Sequence, residues 1–261
     1  MRKKKTPPAA DPAAGGRPAG ERLHKIIARA GLMSLRAAER AIAEGRVKVN
    51  GRTLAAKGAT ADPLHDKITV NGKPLQVIQE RVYLLMNKPR GVVTTRADEE
   101  GRKTVMDLLP NRYRHVFPVG RLDLQSEGLL ILTNDGAFAQ FLLSPQGGVE
   151  RVYHVKVRNK PAAATLQKII SGVTVEKETL KAESARVLET TKTNAWLEIT
   201  LTAGKNRHIR RMLEPLGHPV VKLKRVSIGP LKLMDLKSGE TRHLPVETVG
   251  RMMRAKRKEA P

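Results

Sequence analysis

The chain has 261 residues, 40% hydrophobic and 28% charged, enough for one large or two modest folded domains. Its 49 Lys and Arg outnumber 25 Asp and Glu, a formal charge of +24. That excess selects a polyanionic partner, nucleic acid ahead of an anionic membrane because no basic amphipathic helix stands out. It has no cysteine, which excludes disulfides, thiolate metal sites and cysteine nucleophiles. No apolar run approaches the roughly 18 residues of a membrane span, so the chain is expected to be soluble and cytoplasmic.

Residues 1–20 are rich in Pro, Ala and Gly and carry five basic residues and one acid. Without an apolar h-region they read as a disordered basic tail rather than a signal peptide. Order is expected from Glu21. Leu23, Ile26, Ile27 and Ala30 fall at helical spacing, and Gly31 stops the helix. Ser34 is an N-cap for a second helix whose Ala38, Ala41 and Ile42 share a face. Two Asn-Gly pairs, Asn50-Gly51 and Asn71-Gly72, mark type I′ hairpins. Residues 21–76 thus read as a small ααβ module. Its Arg22, Lys25, Arg36, Arg40, Arg46 and Lys48 suit either a solvated surface or a phosphate-binding face. The run RLHKIIARAGLMSLRAAERAIAEGRVKVNG resembles the S4 RNA-binding domain over its whole length. It departs at Leu35, where the family usually has a second basic residue. The resemblance implies that the six cations touch RNA, and phosphate contacts of this kind give affinity and salt dependence.

Residues 77–81 read as a linker, and 82–250 as a second domain. VYLLMNKP is a strand stopped by Pro89 and Gly91, after which VVTT resumes. GRKTVMDLLP is a loop and short helix. GLLILTN, RVYHVKV and WLEITLT are strands, and Leu129–Leu132 should be core. Helices are expected near Gly136–Leu143 and Asn206–Leu216. Strands outnumber helices and no βαβ rhythm recurs. The fold class is therefore α+β with a mainly antiparallel or mixed sheet. Residues 251–261, with five basic residues and one acid, read as a basic C-terminal tail.

Two stretches could carry chemistry. In GRLDLQSEGLLILTNDG (residues 120–136), Asp123 precedes an apolar run, as a turn or cap residue would. Yet Arg121 lies two residues before it, and a carboxylate kept ionised by a guanidinium can act as a nucleophile. A glycosidase would want a second, protonated carboxyl across the bond. Glu127 is the nearest candidate, Asp135 reads better as a turn, and a basic protein suits neutral sugars poorly. In AGKNRHIRRMLEPLGHP (residues 203–219), Ile209, Met212, Leu213 and Leu216 form a core stripe. Lys205, Arg207, Arg210 and Arg211 read either as a surface with an Arg210–Glu214 pair or as an anion-holding helix start. Pro215 falls in the last turn of that helix and loosens it.

Together GRLDLQSEGLLILTNDG, NKPRGVVTT, the Tyr153 strand, GKNRHIRRMLEPLGHPV and LKRVSIGPL resemble the RNA pseudouridine synthases. The branch is the one that modifies ribosomal RNA and carries an N-terminal S4 domain, and the likeness spans residues 21–245. RLDLQSEGLL is similar to that family's Arg-Leu-Asp-x-x-Ser/Thr-x-Gly-Leu-Leu signature. The resemblance implies that Asp123 is the nucleophile, attacking C6 of the base or C1′ of the ribose. It implies that Tyr153 packs on the flipped uracil and helps remove the C5 proton. Arg210 would pair with Asp123, and Arg121 would help extrude the nucleotide, since a stacked base is out of reach. Lys205, Arg207 and Arg211 would bind RNA. The reaction is an isomerisation, so no metal and no cofactor is expected. The long NKPRGVVTTRADEEGRKTVMDLLP segment looks more like the large-subunit (23S) rRNA enzymes, of the B type, than the small-subunit ones. The partner implied is ribosomal RNA, 23S rRNA or a pre-ribosomal particle, bound by a monomer away from membranes. The competing reading is a non-catalytic RNA-binding ribosome-assembly factor, which would have no need of the set Asp123, Tyr153 and Arg210. A DNA-binding regulator leaves both the S4-like module and the carboxylate unexplained.

Overall fold

The computed structural model describes residues 20–76, 80–144 and 147–259. They fall into two compact units on either side of residues 77–79. Most of the expected N-terminal tail lies outside the described residues, as do three residues of the expected linker. Arg81 and Glu80 already hold the second unit, through Asp135 and Asn134.

The first unit opens with β1 (Glu21–Arg22), α1 (Leu23–Arg29) and α2 (Leu35–Ala43). Ser34 caps α2 by accepting from the Ala37 amide at 3.2 Å. Then come β2 (Val47–Val49), β3 (Arg52–Thr53), β4 (Thr60–Ala61), β5 (Ile68–Val70) and β6 (Lys73–Pro74). β3, β2, β5 and β6 form an antiparallel sheet, while β4 pairs with β1. At both Asn-Gly pairs the two residues have positive φ, the twist that a two-residue hairpin demands. Leu23, Ile26, Ile27, Ala38, Ala41, Val47 and Val70 bury the unit's own core.

The second unit is built on β7 (Tyr83–Lys88), β8 (Phe117–Val119), β9 (Glu127–Thr133), β10 (Arg151–Arg158) and the hairpin β11 (Val173–Val175) and β12 (Glu178–Leu180). It continues with β13 (Ser184–Thr190), β14 (Asn194–Leu201), β15 (Val220–Ile228), β16 (Leu231–Lys232) and β17 (Thr241–His243). Helices α3 (Gly136–Leu143), α4 (Ala163–Ser171), α5 (His208–Leu213) and α6 (Val246–Glu259) complete it. No described helix is long and apolar enough to cross a membrane.

The main sheet runs β13-β14-β10-β15-β9-β7-β17, with β16 on β15 and β8 on β9. Its pairs are antiparallel except β15 with β9, so the expected α+β class with a mixed sheet is found. β9 is buried on both faces. Leu129 and Ile131 pack with α3 and α6 residues such as Phe138 and Val249, and Leu130 and Leu132 pack with Val105 and Tyr113. Alternation along β10 puts Tyr153, Val155 and Val157 into a third cluster with Ile209, Met212 and Leu213.

Four expectations are corrected. VVTT forms no strand: Val93 makes an isolated bridge to Thr104, and Thr94 spends its hydroxyl on the Leu122 backbone. The helix expected over 206–216 spans only His208–Leu213. Arg207 has φ +46°, so it stands before the helix, and Pro215 lies beyond the helix end and loosens nothing. Glu214 before it still has helical angles (φ −61°, ψ −50°), but proline has no amide hydrogen to donate to the carbonyl four residues back, which suits a stop there. Residues 251–259 are not a tail but continue α6, with Met252 buried. Asp135 is the N-cap of α3, accepting from the Ala137 and Phe138 amides, and it also accepts from the buried Tyr83 hydroxyl at 2.7 Å.

The parallel contact of the main sheet sets a strict demand. Gly128 opposes Arg225 in the register with φ +107°, and a Cβ there would stand 2.2 Å from the Arg225 carbonyl oxygen. Backbone cannot yield that distance cheaply. Gly128→Ala is expected to cost about 3 kcal/mol, read as a fall in the midpoint of thermal or urea unfolding.

Candidate active site

Asp123 sits in the loop that enters β9, and three neighbours hold that loop by its backbone. The Lys88 ammonium donates to the carbonyls of Pro89 (3.0 Å), Asp123 (3.2 Å) and Ser126 (2.8 Å). Thr94 Oγ1 donates to the Leu122 carbonyl at 2.7 Å. The Gly91 amide donates to the Leu124 carbonyl at 2.8 Å, and a turn closes from the Ser126 amide to the Asp123 carbonyl at 2.9 Å. Leu122, 6% exposed, anchors the loop in the cluster that contains Tyr153 and Ile209. The carboxylate is left half-exposed in the loop just before β9.

Lys88 is fully buried. Burial pulls its ammonium down to about 8, against Asp123 and Glu127, which act in the opposite sense. A buried cation is tolerated when charge-assisted hydrogen bonds replace its water, and here three carbonyls do so. Lysine at the end of an apolar strand is the signal in the sequence that could have marked this residue.

Arg210 reaches the same loop from α5. Its Nη1 donates to the Val220 carbonyl (3.2 Å) and its Nη2 to the Gln125 carbonyl (3.3 Å). That leaves Nε 4.0 Å from Asp123 Oδ2, an ion pair longer than a hydrogen bond. Burial, then the neighbouring Arg207, lowers the guanidinium from its ordinary range while Asp123 acts to raise it. The partner of Arg210 is Asp123, and no described ion pair joins it to Glu214.

Asp123 lines a cleft of about 170 Å³. Tyr153, 8% exposed, lines it from the middle of β10. Arg121, Lys205 and Arg207 line it as exposed cations, and Arg225 as a buried one. Arg207 carries its positive φ here, where uncommon backbone conformations tend to gather. Lys205 also pairs with Glu178 at 3.1 Å.

The remaining basic residues divide. Arg211 is not in the cleft: it pairs with Glu178 (2.8 Å) and Glu176 (3.5 Å), tying α5 to the β11–β12 hairpin. Arg211, and Lys205 after it, hold the Glu178 carboxyl below its usual range. In the first unit Arg22, Lys25, Arg36, Arg40, Arg46 and Lys48 are all exposed. Arg22 donates to the Gly58 carbonyl and Arg46 pairs with Glu44.

Arg151, Arg225 and Lys88 had no assigned role in the sequence. Arg151 staples the cleft's far wall by donating to the carbonyls of Thr202 and Leu142, each at 2.6 Å. Lys88→Met leaves three carbonyls without their donor and should cost about 3 kcal/mol. Between pH 8 and 10.5 the folded state has released the Lys88 proton while the unfolded state keeps it. Stability of the wild type relative to Lys88→Met therefore rises with pH across that window. Urea unfolding of both proteins at pH 7 and pH 9.5 checks the sign.

Comparison with known proteins fits this geometry. Residues 82–215 match the RNA pseudouridylate synthase family, and residues 21–57 match the S4 domain. The chain is 40% identical over 234 residues to the ribosomal large subunit pseudouridine synthase B of Bacillus subtilis, covering 89% of this chain and 95% of that one. It is 38% identical over 235 residues to an uncharacterized RNA pseudouridine synthase of Aquifex aeolicus, covering 90% and 94%. A crystal structure of a pseudouridylate synthase aligns with TM-score 0.63 and 28% identity, covering 88% of this chain and 99% of that one. With a matching catalytic-domain model, a matching S4 domain and relatives alike along nearly their whole length, the chain belongs to the RNA pseudouridylate synthase family.

Proposed function

We propose that this enzyme isomerises a specific uridine to pseudouridine in large-subunit (23S) ribosomal RNA, with Asp123 as its nucleophile. The observation that carries the reading is the convergence of Asp123, Arg210 and Tyr153 from a loop, a helix and a strand. Similarity to the large-subunit enzyme named above supports the choice of RNA. The cleft, about 170 Å³, lies below the roughly 300 Å³ at which pockets for drug-sized ligands begin, which suits one planar base turned out of its stack.

The reaction breaks the C1′–N1 bond, turns the uracil, and joins C5 to C1′. C5 loses a proton and N1 gains one, so atoms and electrons balance within the nucleotide. Asp123 supplies a carboxylate oxygen to C6 or to C1′. Arg210 orients it through the long ion pair, and the backbone clamp from Lys88 and Thr94 keeps the loop from drifting. A nucleophile held this way loses little freedom on reaching the reactive geometry. Tyr153 gives the base a flat apolar wall and stands by the C5 proton. Arg121 and Arg207, exposed at the cleft, meet the flanking phosphates, and Lys205, paired with Glu178, is held beside them. Arg211 serves the protein rather than the RNA, because its charge is already met by Glu178. In the S4 unit Lys25, Arg36, Arg40 and Lys48, exposed and without an ion pair among the described residues, are the free phosphate contacts. Arg22 and Arg46 contribute from the edge.

Asp123→Asn should abolish pseudouridine formation while RNA binding, read by filter retention, stays close to wild type. An equal loss of binding would make Asp123 structural. Because the product has the mass of uridine, the site is found by carbodiimide-adduct primer extension on rRNA from cells lacking this protein. One lost stop in 23S rRNA names the uridine, and no lost stop in either rRNA overturns the enzyme reading.

Arg36→Ala combined with Arg40→Ala should weaken RNA binding without touching the single-turnover rate at saturation. The plot of log affinity against log salt should flatten by about 0.7 to 0.9 for each phosphate that the variant no longer neutralises.

A further inference from the structure

Arg225 stands out among the described side chains as a buried cation that the protein does not satisfy. It is 3% exposed and lines the cleft. Its Nε donates to the Leu129 carbonyl at 2.7 Å, but Nη2 is buried without a hydrogen-bond partner. Among the described residues no carboxylate pairs with it, and nearby Lys88 adds a second positive charge. Such a group is costly. Its acceptor is therefore to be sought in whatever fills the cleft.

Position says which part of the nucleotide that is. Arg225 on β15 is directly opposite Tyr153 on β10, and opposed residues of an antiparallel pair project from the same face. Arg225 is thus beside the wall against which the base is placed. Arg121 and Arg207, exposed at the same cleft, are where phosphates can reach. The reaction adds a constraint. Turning uracil half a turn about its N3–C6 axis exchanges N1 with C5, and exchanges O4 with O2. A fixed donor therefore finds a carbonyl oxygen in either orientation. Cytosine offers an amino group at one of those two positions and would set donor against donor. Ser126 Oγ, 1% exposed and also without a partner, lines the same cleft and offers the uracil N3–H, which lies on the axis, an acceptor.

We propose that Arg225 is a base-reading residue of this enzyme, its Nη2 donating to one uracil carbonyl before the base turns and to the other afterwards. This rests on the uridine-isomerase reading above. The donor would select uracil over cytosine and hold the detached base in register while it turns.

The test uses transcripts of 23S rRNA made with uridine, 4-thiouridine or 2-thiouridine, sulfur being the weaker acceptor. Single-turnover conversion is followed by chromatography of the digested nucleosides. Arg225→Met should lose roughly 10- to 100-fold in rate on ordinary RNA. Wild type should be slowed several-fold more than Arg225→Met by either sulfur, and Arg225→Lys, which keeps a donor, should recover part of that sensitivity. Comparing variants on the same RNA cancels the effect of sulfur on RNA folding and on the intrinsic chemistry. Equal sulfur effects in wild type and Arg225→Met would overturn the proposal and leave Arg225 a structural or phosphate-binding group. A measurement without turnover separates this from the assignment to 23S rRNA. Wild type should bind uridine 5′-monophosphate more tightly than cytidine 5′-monophosphate by NMR titration, and Arg225→Met should lose that preference. No preference in the wild type would also overturn it. Thermal unfolding of each variant guards against a folding defect.

Discussion

A single buried ammonium governs this architecture. Lys88 ends β7 with its charge inside the protein, and three carbonyls from two loops close around it. Two of the three belong to Asp123 and Ser126, the turn that precedes β9. The position of the proposed nucleophile is therefore set through its own backbone, by a side chain on the neighbouring strand. Charge-assisted bonds in a dry setting are stiff and costly to break. The backbone of the turn is fixed in this way while the Asp123 carboxylate stands half-exposed in a basic cleft. Leu122 before it and Leu129 after it complete the hold, each buried in a different cluster.

The sheet carries the rest of the site. β15 and β9 meet in parallel for two residues, and Gly128 lets the backbones approach there. This contact sets Arg225 against the start of β9, and β10 then places Tyr153 opposite Arg225. Asp123, Tyr153 and Arg225 thus come from three neighbouring strands of one sheet or their ends. α5 adds Arg210 from the side, with Ile209, Met212 and Leu213 anchoring it in the same cluster as Tyr153. The site is small because its walls are core.

The basic charge of the chain is sorted rather than uniform. Some cations are consumed by the fold: Arg211 by Glu178, Arg102 by Asp98, Arg151 by backbone carbonyls. Others, such as Arg121 and Arg207 at the cleft and Arg36 and Arg40 on α2, are exposed and available to a polyanion. Net charge alone announces a polyanionic partner. Which arginines serve it depends on where the acids lie, and in the 203–219 segment the deciding acid, Glu178, comes from a hairpin that the sequence pattern does not flag.

Much was legible in the chain itself, for local reasons. Asn-Gly at 50–51 and 71–72 permits positive φ cheaply, so both hairpins could be read directly. Ser34 and the stripe Ala38, Ala41, Ile42 mark α2, and the unbroken run Leu129–Leu132 marks a strand buried on both faces. The motif residues of a known family were recognisable at Asp123, Tyr153 and Arg210. What the chain could not disclose were long-range facts. That Thr94 yields its hydroxyl to the Leu122 backbone, and that Met252 packs into the core cluster of Leu129 and Ile131 so that α6 runs on past Arg251, each follow from neighbours far away in sequence. Residue type and spacing determined which groups are available and which faces are apolar. The tertiary structure alone decided which cation meets an acid of its own fold and which is buried without a partner, because pairing energies depend on distance and burial that only the folded chain creates.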